Sequence, residues 1–285
     1  MSIETQKRRQ VSLFVAVALA SLITAGTTLR AEEAVATDAP SAEAELAKKL
    51  SNPVANLISV PFQNNWDFGI GPRNAFKYTV NIQPVIPVSL NDDYNVIIRT
   101  ILPVIYAQGS VPGQHDHSGL GDVTQSFFFS PKAPVGGWIL GAGPVGLYPT
   151  ATDNALGSEK LGLGPTVVVL KQDKGWTYGF LGNHIWSVAG DEDRAYVSST
   201  FLQPFVSYTT KKFTTYSLNS ESTYDWNNTQ WSVPFNLTVA QLVKIGKMPV
   251  QFQFGPRVYV ERPNKPVVGP DWGLRFSVTL LFPKG

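Results

Sequence analysis

The stretch WSVPFNLTVAQLVKI, residues 231–245, decides the fold because apolar and polar side chains alternate along it. Its odd-numbered residues are all apolar except Gln241, and its even-numbered residues are all small or polar except Leu242. Such a period of two places successive side chains on opposite faces of a β-strand. Strands of soluble proteins usually run to about 5–6 residues, whereas a tilted strand that crosses a bilayer needs about 9–11. The stretch is therefore typical of a membrane-spanning strand.

The same alternation recurs along most of the chain after residue 50, most clearly at 176–188, 250–260 and 272–282. In this part of the chain no apolar run reaches the ~18 residues of a transmembrane helix. The pattern predicts twelve strands, an even number as in bacterial single-chain barrels. We expect them near 56–69, 74–89, 94–107, 119–130, 137–149, 160–171, 175–188, 196–210, 213–226, 230–245, 249–262 and 271–283.

The predicted fold class is all-β, an antiparallel transmembrane β-barrel of about twelve strands. Alternation by itself also fits a soluble β-sandwich or a lipocalin-like barrel. Strand length favours the membrane, and so do tryptophans at strand ends, which resemble the interfacial girdles of membrane barrels: Trp176, Trp186, Trp226, Trp231 and Trp272. The connections mostly alternate between short and long, which predicts that both chain termini lie on the periplasmic side.

Prolines occur inside the predicted strands. A proline lacks the N–H that a strand donates to its neighbour, and a closed barrel has no edge strand to accommodate it. We therefore expect β-bulges at these positions: Pro84, Pro87, Pro103, Pro204, Pro234 and Pro256.

The N-terminal region has the pattern of an export signal. Lys7, Arg8 and Arg9 precede an uncharged, mostly apolar run from residue 11 to residue 25, too short for a comfortable membrane span. We expect cleavage after Ala31, with Ala36 as the alternative site and an uncleaved anchor as the alternative role. The predicted organisation is a signal peptide at 1–31, a periplasmic tether or lumen plug at 32–55, and an outer-membrane barrel at 56–285. If residues 46–65 fold into the lumen, we expect polar contacts from Asn56, Gln63, Asn64 and Asn65.

Composition agrees with an exported membrane protein. Charged residues make up 15% of the chain, against about 25% in soluble domains, and cysteine is absent. Without residues 1–31 the chain carries 19 basic and 20 acidic residues, a balance that gives no support for nucleic-acid binding.

The run NPVANLISVPFQNNWDFGIGP, residues 52–72, resembles a family of bacterial outer-membrane β-barrels usually called only "transporter". The family is related to the phenol-degradation proteins of the MetA pathway, and some members were mislabelled neuromedin U. The resemblance implies an outer-membrane barrel that moves small, hydrophobic or aromatic molecules, and it supplies no catalytic or ligand-binding residues. Similar runs are NIQPVIPVSLN (81–91), GLGDVTQSFFFSPK (119–132), GPTVVVLKQ (164–172), NHIWSVAGDEDR (183–194), TFLQPFVSYTT (200–210), STYDW (222–226) and WGLRFSVTLLFPK (272–284).

Polar side chains on the inward faces of the last strands are the candidate site. They can line a pore, or they can pair with one another and fill a closed lumen, and the sequence leaves both open. Their mixed charges argue against strong ion selectivity. The predicted lumen-lining residues are Glu221, Asp225, Lys244, Gln251, Gln253, Arg257, Glu261 and Arg275.

Motifs for metal binding and catalysis are weak. His115-Asp116-His117 has the close spacing of metal ligands, but no third or fourth ligand is assigned, so we expect a solvated loop. Asp191, Glu192 and Asp193 also predict a solvated acidic loop, with a divalent cation that bridges lipopolysaccharide as the alternative. His184 shares a face with Trp186, and an outer-membrane lipid hydrolase would need a histidine on this lipid-facing side. No G-x-S-x-G motif accompanies it.

Three functions follow from these observations. The first is a passive or facilitated-diffusion channel for small molecules, the second is a closed barrel with a structural or envelope-interaction role, and the third is a lipid hydrolase. We expect no enzyme, no catalytic residue, no metal and no cofactor. The expected location is the bacterial outer membrane, and the expected partners are outer-membrane lipid and lipopolysaccharide, the barrel-assembly machinery and small-molecule solutes, with no nucleic acid.

Overall fold

The computed structural model describes residues 42–282 and their side chains from residue 45 onwards, so the predicted signal peptide and its cleavage sites lie outside the described residues. Within this range no helix has the length and apolarity needed to cross a membrane. One helix, α1 (Ala42–Leu50), precedes the sheet. The strands are β1 (Ile58–Ile70), β2 (Ala75–Ile82), β3 (Val85–Ser89), β4 (Tyr94–Ala107), β5 (His117–Leu120), β6 (Val123–Pro131), β7 (Ile139–Tyr148), β8 (Lys160–Asp173), β9 (Trp176–Gly190), β10 (Ser198–Thr209), β11 (Thr214–Ser220), β12 (Ser222–Asp225), β13 (Gln230–Ile245), β14 (Met248–Glu261) and β15 (Trp272–Phe282).

The strands close into one antiparallel barrel. Strand β1 pairs with β15, and β9 pairs with β10, so the ring of pairings has no free edge. Three membrane strands are interrupted and count as two each, namely β2 with β3, β5 with β6, and β11 with β12. The barrel therefore has twelve membrane strands, which confirms the predicted fold class. Every predicted strand boundary lies within two residues of the observed one.

The two ends of the barrel differ in the length of their connections. At the end where Ile58 pairs with Phe282, here called the lower end, the turns are short. One of them is the two-residue turn at Lys174 and Gly175, where both residues have positive φ, as a type I′ hairpin requires. The upper end carries the longer loops, including 108–116, 149–159 and 262–271.

The outer surface is apolar, with aromatic side chains at both ends of the strands. At the upper end Phe68 stacks on Trp272 at 4.6 Å between ring centroids, and Tyr224 contacts Trp231 at 4.8 Å. At the lower end Trp176 contacts Tyr208 at 5.0 Å. Such girdles are typical of barrels that sit in a bilayer, where the rings lie at the two interfaces.

The two exceptions to the alternation in residues 231–245 have separate causes, and both lie near the lower end. Leu242 points inward but packs with Leu57, Leu281 and helix α1 in an apolar cluster, so it is buried. Gln241 points outward but accepts a hydrogen bond from Thr214 Oγ1 at 2.6 Å and donates to the carbonyl of Lys212 at 3.1 Å. Each exception is therefore satisfied locally, and the register of β13 stays fixed.

Helix α1 and the residues after it occupy the lower end of the barrel. Ala, Leu, Glu and Lys are strong helix formers, and Lys48 and Lys49 lie in the last turn, where cations are favourable. The Asn52-Pro53 step prevents the helix from continuing. Residues 46–57, called the N-terminal segment below, pack by Ala47 and Leu57 against the inner wall.

The prolines agree only in part with the predicted bulges. Pro234 lies at a shift in register between β13 and β14, and Pro103 lies opposite a one-residue shift between β5 and β6. Pro84 separates β2 from β3 with no change of register. The bulges predicted at Pro87 and Pro256 are absent, because each proline pairs in continuous register with its neighbours. Pro204 also keeps its register with β9. A proline lacks the backbone N–H that would donate to a neighbouring strand. The register can continue past it, because only that one hydrogen bond is lost.

Candidate functional site

A two-pronged ion pair spans the middle of the lumen. Arg275 on β15 donates from Nη1 and Nη2 to the two carboxylate oxygens of Glu221 at 2.8 and 2.7 Å. Glu221 lies in the interruption between β11 and β12, which are not sheet neighbours of β15, so the pair links separate parts of the wall. The Arg275 side chain is only 3% exposed. Paired N–H···O bonds of this kind fix both partners in one orientation.

A second arginine joins the same network through Asn65. Arg275 Nε and Arg257 Nη1 both donate to Asn65 Oδ1, at 2.8 and 2.6 Å. Arg257 also donates to the Tyr259 hydroxyl at 3.0 Å, and that hydroxyl donates to Asp67 Oδ1 at 3.0 Å. Arg257 Nε lies 3.5 Å from the same carboxylate oxygen. These residues, called the central network below, divide the lumen into an upper and a lower part: Asn65, Asp67, Glu221, Arg257, Tyr259 and Arg275.

Two further cations flank the central network. Arg99 donates from Nη2 to Gln83 Oε1 at 3.0 Å and faces the lower part of the lumen. Lys77 faces the upper part. Among the described residues, neither cation has a carboxylate within ion-pair distance. Arg275 binds Glu221, and Arg257 and Tyr259 contact Asp67. Within residues 42–282, the middle of the barrel thus carries four cations and two carboxylates.

The lower part of the lumen encloses a cavity of about 230 Å³ between the central network and the N-terminal segment. Arg99 and several carboxamides line it, and Phe205 and Val85 supply apolar wall. The hydroxyl oxygen of Ser207, which also lines the cavity, is buried and has no hydrogen-bond partner among the described residues. Polar groups on the cavity wall are Gln83, Gln203, Asn219, Gln251 and Gln253.

The N-terminal segment forms the floor of this cavity. Val54 packs inside the lumen in a cluster with Ile97, Phe128, Val168, Leu170 and Leu181. Its backbone N–H is bound by the Asn52 side chain at 2.9 Å, which turns the chain after α1. On the other side, Ala47 is fully buried against Leu242 and Leu281. Apolar contacts on both sides of the lumen therefore hold the segment.

The upper part of the lumen contains a smaller pocket of about 130 Å³, beneath the loops at 108–116 and 149–159. Ile70, Ala107, Ala155 and Leu156 give it apolar walls, and Lys77 lies among the residues that line it. The pocket is therefore mostly apolar with one cation.

Hydrogen bonds fix the two loops above this pocket. Asp116 accepts from the Tyr106 hydroxyl at 2.6 Å and from the Gly109 N–H at 3.0 Å, and these bonds hold its pKa below the ordinary value. The ring Nδ1 of His117 lies 2.9 Å from Asp153, and this contact, with the Ala155 N–H, lowers the pKa of Asp153. The side chains of Asp116 and His117 thus serve two different loops. No group of three or more potential metal ligands occurs within the described range.

The structure brings some of the eight predicted lumen residues together and separates others. Glu221, Arg257 and Arg275 belong to the central network, and Gln251 and Gln253 line the lower cavity. Asp225 instead binds the turn that follows β12, accepting from the N–H groups of residues 227 and 228 at 2.9 and 3.2 Å. Lys244 and Glu261 lie at opposite ends of the barrel and are exposed.

Four residues at the middle of the lumen were not among the predicted ones: Asp67, Lys77, Arg99 and Tyr259. Each is a polar or charged residue inside an early or late strand. A single charge within an apolar run, such as Arg99 in residues 96–102, could have indicated a residue that faces the lumen. Of the residues expected to make polar contacts in the lumen, Asn65 faces inward from β1. Asn64 on the next position faces outward and accepts a hydrogen bond from Tyr78 at 2.6 Å.

On the outer surface, His184 has a hydroxyl partner that the sequence did not indicate. Its Nδ1 lies 2.7 Å from Thr200 Oγ1, which also accepts a hydrogen bond from Trp226 Nε1 at 2.8 Å. The His184 ring lies 4.0 Å from that of Trp186. His184 Nε2 has no partner within residues 42–282, so no third side chain orients the imidazole. The group is part of the upper aromatic girdle.

Comparison with known proteins supports the fold. No family model matches the sequence, and no curated protein does. The structure is similar to the crystal structure of the COG4313 outer membrane channel from Pseudomonas putida F1, with a TM-score of 0.61 and 18% identity over 79% of this chain and 94% of that chain. This likeness confirms the predicted kind of fold, that of a bacterial outer-membrane β-barrel.

Two other similar structures superpose less well. Outer membrane phospholipase A from Escherichia coli has a TM-score of 0.46 and 13% identity, over 86% of this chain and 99% of that chain. The β domain of the Bordetella autotransporter BrkA has a TM-score of 0.45 and 12% identity, over 80% of this chain and 100% of that chain. At these scores the similarity carries no conclusion about activity.

Proposed function

We propose that this chain is an outer-membrane channel through which small, hydrophobic or aromatic molecules diffuse down their concentration gradient. The proposal rests on the lower cavity of about 230 Å³, because a purely structural barrel would fill that space with side chains. Its lining mixes carboxamides and apolar side chains, which suits molecules of mixed character. The similar fold of a solved outer membrane channel supports the same proposal.

In this proposal the lower end faces the periplasm, and two elements control passage. The N-terminal segment closes the lower end, because apolar clusters hold it on opposite walls. The central network narrows the middle, because its guanidinium groups are tied to acceptors on separate strands. Transport therefore requires that the N-terminal segment give way, and the central network limits the size of the solute that passes. The barrel-assembly machinery would insert the chain, and lipopolysaccharide would surround its upper girdle.

Liposome swelling tests whether the folded protein passes solutes. The full mature chain is refolded, checked by heat-modifiable gel mobility, and reconstituted with arabinose or the larger stachyose outside. Because the N-terminal segment closes the lower end, we expect slow swelling with arabinose from the full chain and faster swelling after residues 32–55 are removed. We expect much slower swelling with stachyose in both forms, because the lower cavity is small. If liposomes that contain folded protein swell with neither sugar, even after residues 32–55 are removed, the chain is a closed barrel with a structural role and not a channel.

The outer surface of the same preparation allows a check of the hydrolase alternative. Thr200 is bound by both His184 and Trp226, and its hydroxyl is a girdle contact in this proposal. We expect no release of fatty acid from phospholipid vesicles, with or without Ca²⁺. Release that disappears in His184→Ala but persists in a variant of the exposed Trp186 would show an enzyme instead.

A further inference from the structure

The lower cavity has charges of only one sign. Lys49 and Arg99 line it, and no Asp or Glu is among the described residues on its wall. Glu221 of the central network is already bound by both arms of Arg275. A cation on a lumenal wall without a paired carboxylate attracts anions from water. The mixed charges of the sequence thus resolve into a network that neutralises itself and a cavity that is positive.

The Arg99 guanidinium has donors to spare. One nitrogen, Nη2, donates to Gln83 Oε1 at 3.0 Å, and no other hydrogen bond of its side chain occurs within the described structure. A guanidinium carries five N–H donors in a planar fork that matches a carboxylate. Gln83 fixes one arm of this fork, which orients the rest before any ligand arrives.

A second, independent observation points to a ligand in the same cavity. Ser207, only 7% exposed, has a hydroxyl without a hydrogen-bond partner, although buried polar groups are nearly always paired. It lies on the wall with Gln203, Gln251 and Phe205. An anion that also accepts or donates hydrogen bonds would satisfy this hydroxyl, while its apolar body would contact Phe205, Val85 and Leu57.

From this arrangement we propose that the lower cavity is a binding site for a small organic carboxylate with an apolar body, and that Arg99 is its anion-binding residue. The inference rests on the proposed channel function and names the class of solute that the channel favours. The volume is sufficient, since an apolar cavity of about 150 Å³ is known to hold benzene and this one is about 230 Å³.

Isothermal titration calorimetry tests the site. The affinity of the full mature chain in detergent micelles is measured at pH 7 for benzoate and for its neutral analogue benzamide. We expect benzoate to bind at least tenfold more tightly than benzamide, and acetate to bind more weakly than benzoate. Arg99→Gln should lower benzoate affinity at least tenfold and leave benzamide unchanged. Arg99→Lys should keep part of the preference, because the charge remains while the fork is lost.

The matched control is Arg73→Gln, which removes the same charge from an exposed position in the upper turn. It should bind benzoate like the parent chain. Heat-modifiable mobility checks that all variants fold. Equal binding of benzoate and benzamide by the parent chain, or equal loss in Arg99→Gln and Arg73→Gln, would overturn the proposal.

Ion selectivity of the same proteins in planar bilayers separates the site from the channel. In a KCl gradient the parent chain, or the form without residues 32–55, should favour anions, and Arg99→Gln should shift the reversal potential towards cations. Conductance without benzoate preference would leave the channel standing and refute the carboxylate site. Arg99-dependent benzoate binding without any conductance would leave the site standing and refute the channel.

Discussion

Removal of the Glu221 charge is the sharpest test of the central network. Glu221→Gln leaves Arg275, a side chain only 3% exposed, without a carboxylate, while Arg257 and Arg99 remain in the same lumen. Breaking a buried ion pair by removing one partner costs about 3–5 kcal/mol. Glu221 is 20% exposed, and lumenal water screens part of the loss, so we place the expected cost near the lower limit, at about 3 kcal/mol.

Urea unfolding in detergent or lipid, followed by tryptophan fluorescence, measures this cost. Glu261→Gln is the matched control, because the same substitution then falls on an exposed residue at the upper end, where we expect a change within about 0.5 kcal/mol. The double variant Glu221→Gln/Arg275→Met should recover much of the loss, because neither buried charge remains. Equal stability of Glu221→Gln and the parent chain would refute the reasoning that this pair braces the lumen.

Three further predictions concern the N-terminal segment, a loop and a strand pair. Ala47→Glu, at a fully buried site, should release the N-terminal segment and expose it to protease, whereas Lys48→Glu, exposed on the same helix, should leave it protected. Because the pKa of Asp153 is lowered in the fold, its contact with His117 stabilises the 149–159 loop above the ordinary Asp pKa and is lost as the pH falls through the lowered value. Relative to an unstructured substrate at each pH, pepsin should cut the loop increasingly below about pH 4, whereas the relative cutting of Asp153→Asn should not change with pH. Gly164→Ala should reduce the yield of heat-modifiable barrel, because a Cβ there would lie 1.7 Å from the His184 carbonyl oxygen on β9, and survival of a full yield would show that the pairing of β8 with β9 adapts.

The sequence predicts the barrel well because one physical requirement repeats along it. Every strand must present an apolar face to lipid, so alternation marks both the strand and its outward side. Even the two exceptions in β13 follow from local contacts, since Gln241 is bound by Thr214 beside the turn and Leu242 packs against the N-terminal segment. Proline was a weaker guide, since Pro87 and Pro256 keep their register without a bulge.

The candidate site was only partly predictable because it depends on which strands face one another across the lumen. Alternation places Glu221 and Arg275 on inward faces, but their partnership joins strands 54 residues apart that are not neighbours in the sheet. Asp67 looked like an isolated charge, because Tyr259, which binds it, lies 192 residues away in the sequence. Only the three-dimensional structure therefore shows which charged side chains pair with one another and which do not.

Single-channel conductance in planar bilayers tests the central claim most directly, that a continuous lumen exists and that the N-terminal segment closes its lower end. The full mature chain is compared with a form that lacks residues 32–55, both verified as folded by heat-modifiable mobility. We expect small or intermittent conductance from the full chain and larger, steady conductance from the shortened form. Silence from both folded forms would contradict the account and leave a closed structural barrel.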